Sequence, residues 1–67
     1  MKANGAAIRA VRGARGWSVR HLAHLAAMHP SHLSRLERGA RGASNEVLSR
    51  IAAALDVPQD AITRETT

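Results

Sequence analysis

Between Val19 and Gly39 the chain reads VRHLAHLAAMHPSHLSRLERG, and the piece that opens at Pro30 and closes at Gly39 most constrains the fold. Proline lacks an N–H and holds φ near its helical value, so it suits the first helical position. Glycine takes up the left-handed conformation on which helices end. At about 100° per residue, Leu33 and Leu36 fall on one side, where Met28 can join them in a core. Ser31, Ser34, Arg35 and Arg38 fall on the other side, with no apolar residue among them. The spacing therefore predicts a helix from near Pro30 to near Arg38, aliphatic within and lined outside by hydroxyls and guanidiniums.

The flanking segments supply what such a helix would pack against. Asn4 is a suitable N-cap for a first helix with Ala7, Ile8 and Val11 on its buried stripe and Gly16 as its terminator. Trp17 follows as an expected core anchor. Ser18 caps a second helix running to about Ala27, with Leu22, Ala23 and Ala26 on one side. Ala26-Ala27-Met28-His29 then forms a tight turn into the Pro30 helix. Beyond Gly39 a basic loop, ARGAS, leads to Ser44, the expected cap of a fourth helix. Glu46 stands in its first turn, and Val47, Leu48, Ile51, Ala52 and Leu55 form its buried stripe. Asp56-Val57-Pro58 is a break, and Pro58 opens a short fifth helix carrying Ile62, with a fraying Glu65-Thr66-Thr67 tail. No repeat appears and no strand is needed. The expected architecture is all-α, five helices in a single domain over 1–67, with a core over 5–63 and its central motif at 19–39.

Composition narrows the function classes. A chain of 67 residues has one small core, and without cysteine it has neither a disulfide framework nor a thiolate metal site. No apolar stretch is long enough to span a bilayer and no signal-peptide apolar region opens the chain, so a cytoplasmic protein that avoids membranes is expected. Catalysis has little to stand on: there are no paired carboxylates on one face and no glycine-rich phosphate loop. A pairing of Ser31 with His29 or His32 lacks an orienting acid and a pocket. His21/His24 and His29/His32 repeat the H-x-x-H spacing, but His24 lies in a helix and His29 in a turn, so one closed metal site is not expected. No metal or other cofactor is therefore anticipated. The histidines read instead as donors near an anion, whose protonation near ~pH 6 would strengthen binding.

The charge is sorted along the chain. Residues 1–41 carry Lys2, Arg9, Arg12, Arg15, Arg20, Arg35, Arg38 and Arg41 against the single acid Glu37. Residues 42–67 carry Arg50 and Arg64 against Glu46, Asp56, Asp60 and Glu65, so the net +5 divides into +7 and −2. Such a field favours a polyanion on one side. A single tryptophan argues against stacking on single-stranded bases. The first turns of the second and third helices hold no carboxylate. Their open N–H groups, edged by Ser18, Arg20 and His21 and by His29, suit phosphate. On the Pro30 helix, arginine offers a two-pronged bond to guanine and serine a more permissive one, as the major groove of double-stranded DNA requires.

From about Gly5 to Ile62 the chain resembles the lambda-repressor-like helix-turn-helix domain of the Cro/XRE family. The likeness is carried by Ile8, Arg12, Gly16 and Trp17-Ser18, then by Leu22-Ala23, Met28, Leu33-Ser34 and Leu36-Glu37-Arg38-Gly39. Leu48, Ile51-Ala52, Leu55, Val57 and Ile62 complete it. The resemblance implies a five-helix bundle whose third helix enters the major groove, as a two-fold homodimer on a pseudo-palindromic operator. It puts base readout on Pro30, Ser31, His32 and Arg35, with Pro30 limited to apolar contact. Arg38 and Arg41 fall where backbone or minor-groove contacts are made, and Ser34 is expected on the backbone beside them. Arg12 and Glu37 match a pair that joins first and third helices; both flank core stripes, and Glu37 is the only acid among residues 1–41. Three departures stand out: Val19 replaces a glutamine that commonly holds phosphate, Ala27 a turn glycine, and Ala43 a proline.

The expected function is sequence-specific double-stranded DNA binding by a transcriptional regulator. The competing reading is a protein-interaction module of antitoxin or anti-repressor type, which an outward Leu25 and the acidic fourth and fifth helices would serve. The charge division and the groove-facing arginines favour DNA. Val57, Pro58 and Ile62 are the expected dimer contact.

Overall fold

The computed structural model describes residues 2–40 and 42–64. In chain order it comprises β1 (Lys2–Ala3), α1 (Gly5–Ala14), α2 (Val19–Leu25), α3 (Pro30–Glu37), α4 (Asn45–Leu55), a 3₁₀ turn (Gln59–Ile62) and β2 (Thr63–Arg64). Local chemistry sets the helix starts. Asn4 Oδ1 accepts from the Ala7 N–H at 3.1 Å, Ser18 Oγ from His21 at 3.0 Å and Ser44 Oγ from Val47 at 3.2 Å.

The four α-helices end alike. Each closes through a left-handed residue, Gly16 (φ +70°), Ala27 (+55°), Gly39 (+75°) and Asp56 (+57°). The residue after each one returns a hydrogen bond to the helix: Trp17 to Arg12 O, Met28 to Ala23 O, Ala40 to Arg35 O and Val57 to Ala52 O, at 2.9–3.2 Å. At Ala27 this means that an alanine occupies the strained conformation outright, so α2 stops at Leu25 and not near Ala27.

Two expectations are corrected here. The predicted fifth helix is a single 3₁₀ turn, and the fold is mostly helical with a small antiparallel sheet, not an all-α five-helix bundle. Pro58 is extended (ψ 148°) and so is Thr63 (φ −116°, ψ 152°), which leaves the four residues from Gln59 to Ile62 too few to build an α-helical ladder. The chain then runs back along β1, with Lys2 opposite Arg64 and Ala3 opposite Thr63, and the Asn4 N–H extends the pairing to Ile62 O at 2.8 Å. The fraying predicted for residues 65–67 lies outside the described residues.

Ile8, Leu22, Leu33, Leu36, Leu48, Ile51, Leu55 and Ile62 are fully buried and close-packed with Ala23, Ala26 and Ala52. Met28 and Trp17 are half-buried, so Trp17 sits at the margin of the core and does not anchor its centre. Ile62 belongs to the core, held by the packing of the 3₁₀ turn on α4 and α1, and cannot form the dimer contact predicted for it. Among the described residues no helix is long and apolar enough to cross a membrane.

Candidate nucleic-acid interface

The outer side of α3 follows from what its inner side does. Leu33 and Leu36 are 0% exposed, which leaves Ser31, Arg35 and Arg38 exposed and Pro30, His32 and Ser34 half-buried along the rim. The helix is also pinned from behind. Arg12 on α1 grips Glu37 at the end of α3 with two parallel bonds, Nε to Oε2 at 2.7 Å and Nη2 to Oε1 at 2.9 Å, while its Nη1 donates to Trp17 O at 2.7 Å. The side chains are only 16% and 6% exposed, so the pair is screened far less than a surface one. The hydrogen bond to Glu37 raises the Arg12 pKa above its usual value; burial opposes the shift, and the attraction of the same carboxylate adds to it. One guanidinium thus ties α1, the α1–α2 link and α3 together.

At the other end of α3, His29 is the N-cap, a role not anticipated from sequence because histidine is a rare cap. Its Nδ1 accepts the Ser31 backbone N–H at 3.1 Å and lies 2.7 Å from Ser31 Oγ. A backbone N–H can only donate, so Nδ1 is the unprotonated nitrogen, and the Ser31 hydroxyl must donate to it as well. Turned outward, Ser31 Oγ then presents lone pairs and the His29 ring presents Nε2–H. His29→Ala is expected to cost about 0.5–2 kcal/mol of stability, read as faster amide exchange at Ser31 and His32; unchanged exchange there would show the cap to be idle.

The remaining candidates divide between structural and free. The His21 ring packs edge-on against Trp17 at 5.0 Å, with Arg15 5.5 Å over the same indole. Arg15 also donates to Leu55 O, which accounts for an arginine that sequence reading left without a role. Ser18 is occupied as the α2 cap, Arg20 is exposed beside it, and Arg41 lies outside the described residues. His21 and His29 are thus engaged in separate local contacts, and among the described residues no three metal-binding side chains gather. Leu25 is 46% exposed at the end of α2, beside a shallow apolar groove walled by Ala26, Ala27, Arg50, Ala53 and Ala54.

Two short helices joined by the Ala26–His29 turn, the second presenting a polar strip and braced by the first, are a helix-turn-helix. The chain belongs to the helix-turn-helix domain family, whose model matches residues 5–64, and it is a DNA-binding transcription regulator, not an enzyme. Two solved structures place it among XRE-type regulators. The restriction-modification controller protein C.AhdI from Aeromonas hydrophila is 33% identical, with a TM-score of 0.83 over 85% of this chain and 86% of that one. The clp gene regulator ClgR from Corynebacterium glutamicum is 38% identical, with a TM-score of 0.81 over 90% of this chain and 79% of that one. Among curated protein sequences no relative matches the chain.

Proposed function

We propose that residues 1–67 act as one domain that recognises an operator in double-stranded DNA, as a homodimer in the cytoplasm, with α3 in the major groove. The observation that carries this reading is the burial of Leu33 and Leu36 at 0% exposure, which turns Arg35 and Ser31 outward on a helix clamped by Arg12 and Glu37. Arg35 makes the two-pronged bond to guanine. Ser31, its proton given to His29, accepts from the exocyclic amino group of adenine or cytosine. His32 lies beside it, and Pro30 meets a thymine methyl. Ser18, Arg20, His21, His29, Ser34, Arg38 and Arg41 face the phosphates. No other cofactor or metal takes part.

Arg35→Ala should cost about 1–3 kcal/mol on the preferred duplex and relax specificity at one base pair. An equal loss on every sequence would make Arg35 a phosphate contact. One such unit offers few contacts, so two copies are expected on half-sites about 34 Å apart. Selection from random duplexes tests the whole reading: inverted repeats at that spacing support it, and no enrichment overturns it. The exposed Leu25 favours a second reading, a surface for a protein partner. A duplex retarded without any partner, and released as salt rises, separates the two.

A further inference from the structure

The strand pair places two cations side by side, and among the described residues neither has a counter-charge. Lys2 and Arg64 are direct partners across the antiparallel ladder, so their side chains leave the same face of the sheet. Like charges facing each other in this way destabilise a ladder. Both residues are exposed, and neither forms an ion pair with an acid among the described residues. They share a cavity of about 310 Å³ with Ala3 and with Gly39, Ala40 and Gly42 of the loop that follows α3. Among the described residues no carboxylate lines it, and a Cβ built at Gly39 or Gly42 meets none of their atoms within 4 Å. Room, two cations facing each other and, among the described residues, no acid together describe a receptor for a tetrahedral anion.

We infer that Lys2 and Arg64 form a phosphate clamp on the DNA backbone next to the groove that α3 occupies. The inference rests on the DNA-binding reading and extends the interface from the helix-turn-helix to the sheet that joins β1 to β2. The cavity opens beside the loop leaving the C-terminal end of α3, so a strand passing that end brings its phosphates to the two side chains. A bound phosphate also removes the repulsion between them. Binding and folding therefore make opposite demands on this pair.

The test uses Lys2→Ala/Arg64→Ala, with Arg9→Ala/Arg50→Ala as a comparator that removes the same charge from exposed positions outside the interface. Affinity for a duplex of random sequence is measured against KCl concentration, and thermal midpoints are taken without DNA. The clamp variant is expected to lower the slope of log affinity against log salt by about one unit, near 0.9 for the single phosphate no longer neutralised. It should melt no lower than the wild type in the absence of DNA, while the comparator leaves the slope nearly unchanged. An unaltered slope in the clamp variant, or an equal loss in the comparator, overturns the clamp while leaving DNA binding intact. A wild-type protein that retains no duplex at low salt sinks the DNA reading itself, and the clamp with it.

Discussion

Gly5→Ala is expected to lower the thermal midpoint by about 10 °C or more, from the addition of one methyl group. A Cβ at Gly5 would stand 2.2 Å from Leu36 O, 2.6 Å from Glu37 O and 2.8 Å from Glu37 C. These are backbone atoms in the last turn of α3, so no rotamer change moves them aside. The start of α1 must instead withdraw, which loosens Ile8 in the core and stretches the Arg12–Glu37 grip. Overpacking of this kind costs about 1–3 kcal/mol and sometimes more, and in a domain of this size each kcal/mol is worth ~4–8 °C. Gly13→Ala is the matched control. It lies within the same helix with nothing within 4 Å of the added carbon, and should stabilise the protein by about 0.5–1 kcal/mol. If thermal unfolding shows both variants stabilised alike, the close approach of α1 to α3 is wrong.

Glu37→Ala should destabilise by about 2–4 kcal/mol, because it strands a guanidinium that keeps only its bond to Trp17 O. The figure is placed below that for a fully buried pair because Arg12 retains 16% side-chain exposure. DNA affinity should fall further than stability alone explains, since Glu37 sits on the helix proposed to read bases. Replacing both partners together, Arg12→Met with Glu37→Leu, removes the stranded charge and should recover most of the loss. A double-mutant cycle by chemical denaturation checks this: additive losses would mean that the two side chains act independently. The raised Arg12 pKa adds no pH dependence near neutrality. Stability from a group whose pKa is raised on folding is fully present below its unfolded value, which for a guanidinium lies far above neutrality, and is lost only at pH above the folded one.

What could be read from the residues and what could not follow a physical division. Pro30, Gly39 and the leucines between them specify α3 from local rules, and the structure starts and stops it accordingly. Ser18 and Ser44 likewise announce their helices through hydroxyl caps that act within three residues. Gly5 reads locally as an indifferent helix start; only the return of α3 from more than 30 residues away makes it indispensable. β1 and β2 are two residues each, too short for any alternation to register. The inward turn of Ile62 has the same cause, since one aliphatic residue in a four-residue turn carries no periodicity. His29 is missed for another reason: a cap through an imidazole nitrogen depends on ring orientation, which composition does not encode. Among the candidate contacts, the charge division points to a basic side, but the partnering of Lys2 with Arg64 belongs to the tertiary fold.

The antiparallel register of Lys2 with Arg64 and Ala3 with Thr63 has a topological consequence. It brings residues from opposite ends of the numbering into one doorway, so a tether spliced between them needs only a few residues to close the backbone into a ring. New openings cut into exposed connections elsewhere should then give rearranged chains with the same architecture. Any cargo fused at either position would emerge through that same doorway, beside the segment following the third helix.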